Sequence, residues 1–324
     1  MTAVRQNAAT CAALFIAALC CSPAGAQTPA IEGVVAAGTP VTLVKDGFKA
    51  TEGPVIDRDG LLFTDNQANQ ILRVGSDGSV STWAENTGGA NALTRTARGE
   101  LVATLVGDKV IAAMEPGKPP RVLAREFEGK PFNRPNDLVA SRQGTLYFSD
   151  TAAVGASVPA LPSAVYQLSA NGDLKRITTD IARPNGVALS PDDRTLYVAN
   201  TSGEWIIAFS LDRKGNVKGA PSQFARLVLP APAPPQPGTP APTGPPASGA
   251  DGIAVDAKGR LFVATTAGVQ VFSAKREPLG IIVLPKTPQN LAFAGAGRGT
   301  LYVVGRGAVY AIATQTRGPD RAGK

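Results

Sequence analysis

Six polar residues recur in this chain at the opening of short apolar runs: Glu52 in Glu52-Gly53-Pro54-Val55, Asn91 in Asn91-Ala92-Leu93-Thr94, Asn136 in Asn136-Asp137-Leu138-Val139, Asn185 in Asn185-Gly186-Val187-Ala188, Asp251 in Asp251-Gly252-Ile253-Ala254 and Gln289 in Gln289-Asn290-Leu291-Ala292. All six carry side-chain oxygen, and two are carboxylates. Carboxylates brought close together repel unless something neutralises them, and oxygen-only donors suit a hard divalent cation. The plainer reading is also open, because Asn and Asp stabilise turns through their own side chains. Histidine is absent from the chain. That excludes a Ser-His-Asp or Cys-His nucleophile, an HExxH zinc site and a histidine general base, leaving carboxylates, amides, hydroxyls, Arg, Lys or a metal to do any chemistry.

What would bring these residues together is a repeat. After each opening comes a turn and a β-rich run built on an aligned leucine: Leu62, Leu101, Leu146, Leu196, Leu261 and Leu301, at intervals of 39, 45, 50, 65 and 40 residues. These are blade-sized spacings. Hairpin signals such as Ser76-Asp77-Gly78-Ser79, Pro116-Gly117 and Asn171-Gly172 join further short strands. With no long helical periodicity, the expected fold is all-β, a six-bladed β-propeller of four-stranded antiparallel blades over residues 41–313. The last unit lacks a strand, and Val41-Thr42-Leu43-Val44 is expected to supply it, so that an N-terminal strand closes the last blade. The interval of 65 contains Pro230 to Pro246, 17 residues of which nine are proline. Residues 230–247 are therefore expected to form a surface insertion within one domain, since the repeat resumes in phase at Asp251.

In a propeller the innermost strand of every blade lines the central channel, so the six openings should converge near one end of the axis. A divalent cation there would balance Glu52 and Asp251, while the amide oxygens of Asn136 and Asn185 completed its shell. With no nitrogen or sulfur donor, Ca²⁺ is expected first, then Mg²⁺ or Mn²⁺, with Zn²⁺ less favoured. Asp137 should point away from the channel, because neighbouring strand residues face opposite sides. Asp65, Asp150 and Asn200, which end the second strands, are expected to cap turns.

The ends of the chain have their own signals. Arg5, an apolar run of 14 residues from Ala8 to Cys21 and the Ala24-Gly25-Ala26 site read as a secretory signal peptide over residues 1–26, so the mature protein is expected in the periplasm or outside the cell. The run is too short to cross a bilayer, and no later stretch comes closer, so no membrane span is expected. All three cysteines lie in that segment, which leaves the mature chain without disulfides. Residues 27–40 are expected to be flexible and 314–324 a disordered tail. The formal net charge of +7 is scattered without a cluster, which argues against nucleic acid as a partner.

Four segments carry a family resemblance. Thr51-Glu52-Gly53-Pro54, Phe132-Asn133-Arg134-Pro135-Asn136-Asp137-Leu138, Arg183-Pro184-Asn185-Gly186-Val187-Ala188-Leu189-Ser190-Pro191-Asp192 and Ala250-Asp251-Gly252-Ile253 are similar to motifs of the SMP-30/gluconolactonase/luciferin-regenerating family, in the same order. The resemblance spans about Gly47 to Tyr310. It implies a metal-dependent hydrolase that opens the ester of a small-molecule lactone, with Glu52, Asn185 and Asp251 binding the metal and Asn136 binding metal or substrate. It further implies that Arg134 orients the substrate and that Asp251 takes part in proton transfer; Asn91 joins Arg134 and Asn136 as a substrate-binding candidate. The chain departs from the family after two strands, with Leu105-Val106-Gly107-Asp108 where a histidine-bearing stretch is common and Thr151-Ala152-Ala153-Val154-Gly155 where a Pro-Pro-Tyr-Gly type segment is common. Loops over a channel shape its pocket, so these departures bear on which lactone is taken. The competing expectations are a binding or scaffold propeller without turnover and a propeller related to strictosidine synthase.

Overall fold

Strands such as Gly60–Asp65 (Gly-Leu-Leu-Phe-Thr-Asp) are apolar almost throughout because both of their faces are buried, whereas outer strands such as Val80–Glu85 are exposed and polar. That gradient from inside to outside belongs to sheets set radially around an axis. The computed structural model describes residues 28–152, 159–230 and 247–321, which form six four-stranded sheets and one two-stranded hairpin, Glu126–Phe127 with Lys130–Pro131. All six four-stranded sheets are antiparallel, and five of them are simple meanders. Their first strands are Thr51–Asp57, Ala90–Arg95, Pro135–Ala140, Pro184–Leu189, Ile253–Val255 and Asn290–Ala294, here called the inner strands of blades 1 to 6. Each inner strand touches the next around the ring, and blade 6 returns to blade 1. The fold is a six-bladed β-propeller.

Ring closure follows the sequence expectation. Thr42–Asp46 pairs antiparallel with Ala308–Ala313, so the last blade takes its outer strand from the other end of the chain. The core is divided among the seams: one buried cluster joins Val55, Leu62 and Ile71 of blade 1 to Leu93 and Ala103 of blade 2, and five others fill the remaining wedges.

Two segments expected to be flexible are packed. Ile31, Val34 and Val35 are buried in the wedge between blades 5 and 6, held by a turn in which Ile31 and Val35 exchange backbone hydrogen bonds of 3.0 Å. Residues 314–321 cross from blade 6 toward blade 4: the Gln315 N–H donates to the Val34 carbonyl at 2.8 Å, the Ala257 N–H to that of Arg317 at 2.8 Å, and the Arg321 guanidinium to Leu189 O and Asp193 Oδ1 at 2.8 and 3.0 Å. Neither segment has the length for a periodic pattern, so nothing local announces what its few apolar and basic side chains dock against. Residues 1–26, including the three cysteines, and residues 231–246 of the proline-rich segment lie outside the described residues. No helix among the described residues is long and apolar enough to cross a membrane.

Candidate metal centre on the propeller axis

The inner strands share a distortion where the polar residues stand. Pairing with the second strand slips between Glu52 and Val55, Ala90 and Leu93, Pro135 and Leu138, and Pro184 and Val187. Each slip is a β-bulge, which re-aims one side chain without ending the strand. Here it turns Glu52, Asn91, Asn136 and Asn185 toward the axis. In blade 5 the Asp251 N–H donates to Ala264 O at 2.9 Å just before the regular strand begins.

All six ring residues line one cavity of about 550 Å³, at the face formed by the starts of the inner strands and the turns after the second strands. Glu52, Asn91 and Asn185 are buried; Asn136, Asp251 and Gln289 are half-buried. Glu52 is held by blade 6: its Oε1 accepts from Gln289 Nε2 at 3.0 Å and its Oε2 from Asn290 Nδ2 at 3.3 Å. Asn91 donates through Nδ2 to both the backbone O and Oδ1 of Asn136, at 3.0 and 3.2 Å, and accepts from Asn66 Nδ2 at 2.7 Å. Asp137 faces away from the channel, as its place in the strand requires, and its Oδ2 accepts the Val187 N–H of the next blade at 2.9 Å.

Asn185 shows how the cavity suits a cation. The Thr201 hydroxyl spends its only proton on Ala250 O at 2.8 Å, so Thr201 Oγ1 can only accept from Asn185, whose Nδ2 lies 3.1 Å away. That fixes the amide. Asn185 Oδ1 is then a buried acceptor with no hydrogen-bond partner among the described residues. Such an atom is costly to leave unmatched, and a positive ion is the partner that Asn185 Oδ1, with the carboxylates of Glu52 and Asp251, would best serve. The donor set fits a hard divalent cation.

The residues ending the second strands have a second use. Asp65 accepts the backbone N–H groups of Lys49 and Ala50, both at 2.9 Å; Asp150 accepts those of Asn133 and Arg134 at 2.9 and 2.7 Å; Asn200 accepts that of Arg183 at 3.2 Å. Each thereby fixes the chain just upstream of a ring residue. Burial pushes the Asp150 carboxyl above its ordinary range, although the N–H donors of Asn133 and Arg134 pull the other way. The same backbone positions bring basic side chains to the mouth: Arg134, expected from sequence, and Lys49, Arg183 and Arg306, which were not singled out there. Arg183 stands two residues before Asn185 as Arg134 does before Asn136, a signal the repeat alignment contained. Arg306 had none, because it comes from a turn between the second and third strands of blade 6. Val106, Gly107, Thr151 and Ala152, from the two departing segments, also line the cavity.

A six-bladed propeller with an oxygen-lined axial cavity is thus the class that fold and site define. Residues 50–306 match the SMP-30/gluconolactonase/LRE-like region, and the chain belongs to that family. It is 29% identical to a gluconolactonase of Zymomonas mobilis over 90% of this chain and 86% of that one. A lactonohydrolase of Aspergillus oryzae is 30% identical over 59% of this chain and 47% of its own. Among solved structures, a gluconolactonase of Xanthomonas campestris superimposes with a TM-score of 0.74 at 26% identity, covering 91% of this chain and 99% of that one.

Proposed function

We propose that the protein hydrolyses a lactone with the help of one divalent cation, Ca²⁺ before Mg²⁺ or Mn²⁺, held by Glu52, Asn185 and Asp251 with Asn136 at its side. The observation that carries this reading is the meeting of four oxygen donors from blades 1, 3, 4 and 5 around one cavity, in a chain whose relatives are lactone hydrolases. When bound, such a cation polarises a carbonyl and lowers the pKa of water. The chain's own residues do the rest. Arg134 and the amides of Asn91 and Asn136 orient the ring ester. The Asp251 carboxylate takes a proton from the attacking water, whose oxygen bonds to the acyl carbon as the ring C–O bond breaks. The proton then passes to the departing alkoxide, giving a hydroxy acid. No histidine is needed. Export after cleavage near Ala26 is part of the same proposal, and N-terminal sequencing of the mature protein would test it.

Purified protein should be assayed on a panel of aldonolactones and aromatic lactones with and without chelator, beside the Asp251→Asn variant and a metal analysis of the same preparation. Turnover should fall at least about a hundredfold in the variant and with chelator. One equivalent of cation with no turnover on any lactone would leave a binding propeller instead.

A further inference from the structure

The mouth of the cavity carries four cationic side chains, Lys49, Arg134, Arg183 and Arg306, all exposed, against two carboxylates, Glu52 and Asp251, deeper in. Those two are the ones the proposed cation would neutralise, which leaves the mouth positive. None of the four forms an ion pair among the described residues.

The placement is built into the backbone. Each of the four residues has its own N–H held by a side-chain oxygen: Lys49 by Asp65 Oδ2 at 2.9 Å, Arg134 by Asp150 Oδ1 at 2.7 Å, Arg183 by Asn200 Oδ1 at 3.2 Å and Arg306 by Gln289 Oε1 at 2.9 Å. Gln289 in turn donates to Glu52, which ties the position of Arg306 to a cation ligand. Like charges gathered at one mouth repel, and a cleft lined mainly by one sign of charge concentrates ions of the other sign. Guanidinium groups pair with oxyanions through two parallel hydrogen bonds, a contact a neutral sugar hydroxyl does not reproduce.

We infer that the lactone taken by this protein carries a second, anionic group, a carboxylate or a phosphate, held at the mouth by Arg183 and Arg306 with Lys49 while the ring ester lies at the axis. This rests on the lactonase reading and narrows its substrate class. Gly89, Val106 and Gly107 line the same cavity without bringing a charged side chain of their own.

The test compares kcat/KM for neutral glucono-δ-lactone with that for a glucaric acid monolactone and for 6-phosphogluconolactone, at rising salt, in the native protein and in Arg183→Gln and Arg306→Gln. At least one anionic lactone should be preferred about tenfold or more, and the preference should shrink with salt and in each variant. Which of the two is preferred separates carboxylate from phosphate. In parallel, calorimetric titration of the metal-loaded protein with glucarate and with the neutral polyol sorbitol reads the same site without turnover. Glucarate should bind, more weakly as salt rises and in both variants, and sorbitol should not. If no lactone is hydrolysed but glucarate binds in this way, the hydrolase reading fails and the oxyanion site stands. If neutral and anionic lactones are hydrolysed alike and glucarate binding ignores salt and the two arginines, the inference is overturned and the hydrolase reading survives.

Discussion

Two halves of the ring solve one positioning problem differently. On the side of blades 1 to 3 a hydroxyl near the end of the second strand donates to the backbone oxygen of the next blade's ring residue: Thr64 to Asn91 at 2.7 Å, Thr104 to Asn136 at 2.8 Å and Ser149 to Asn185 at 2.7 Å. Thr104 and Ser149 also accept the N–H of Ala92 and Asp137 in their own bulges, so each bridges a seam. Blades 4 and 5 have Ala199 and Ala264 at that place and bring the strands into direct contact. The Gly186 N–H donates to Asp251 O at 3.1 Å and the Gly252 N–H to Gln289 O at 2.7 Å. A Cβ on Gly186 would stand 2.1 Å from Asp251 O, and one on Gly252 2.2 Å from Asn290 Oδ1. Blade 1 combines both devices, since a Cβ on Gly53 would stand 2.1 Å from Asn91 O. A hydroxyl bridge tolerates adjustment, whereas a contact built on a missing Cβ does not, and Asp251, the proposed ligand, hangs on the second kind.

Substitution of Gly186 by Ala should break the direct seam. Two strands must part to admit the methyl group, so we expect about 3 kcal/mol of destabilisation in denaturant unfolding together with a large loss of cation affinity. A smaller loss should follow Asp137→Ala, which strips the Val187 N–H of its acceptor inside the seam of blades 3 and 4, at about 2 kcal/mol. If this variant unfolds at the native midpoint, the Ser149 bridge alone suffices there. Replacing Thr201 by Val should leave stability within about 1 kcal/mol but release the Asn185 amide from its fixed orientation, lowering cation affinity about tenfold by titration. Thr104→Val removes one bridge and should cost about 1 kcal/mol, with Thr104→Ser restoring most of it.

The slightest effect concerns pH. Because burial raises the Asp150 carboxyl in the folded protein, the native state keeps that proton longer than the unfolded chain does. Its contribution is therefore most favourable below the unfolded value of about 4 and declines as pH rises through the higher folded value. Unfolding free energies measured across this range should show that decline in the native protein and lose it in Asp150→Asn.

Much of this site was legible along the chain because the propeller repeats its address. Aligning six leucines was enough to align Glu52, Asn91, Asn136, Asn185, Asp251 and Gln289, and all six do line the same cavity. The role of Thr104 and Ser149 was hidden, because a hydroxyl at a strand end reads the same whether it faces solvent or a neighbouring blade. Arg306 was hidden because a two-residue turn has no address in the repeat. Residues 314–324 have no periodicity and read as a disordered tail, yet the Arg321 guanidinium is buried against blade 4.

By itself the sequence determined the number of blades, the closure by the N-terminal strand, the oxygen-bearing residues at the six openings and the exclusion of histidine chemistry, since periodicity and residue type are properties of the chain alone. Only the tertiary structure decided which of these side chains share a cavity, which amide oxygen has no hydrogen-bond partner among the described residues and which basic side chains meet at the mouth. Those depend on distances across seams between residues far apart in sequence, and bulge, turn and packing set such distances together.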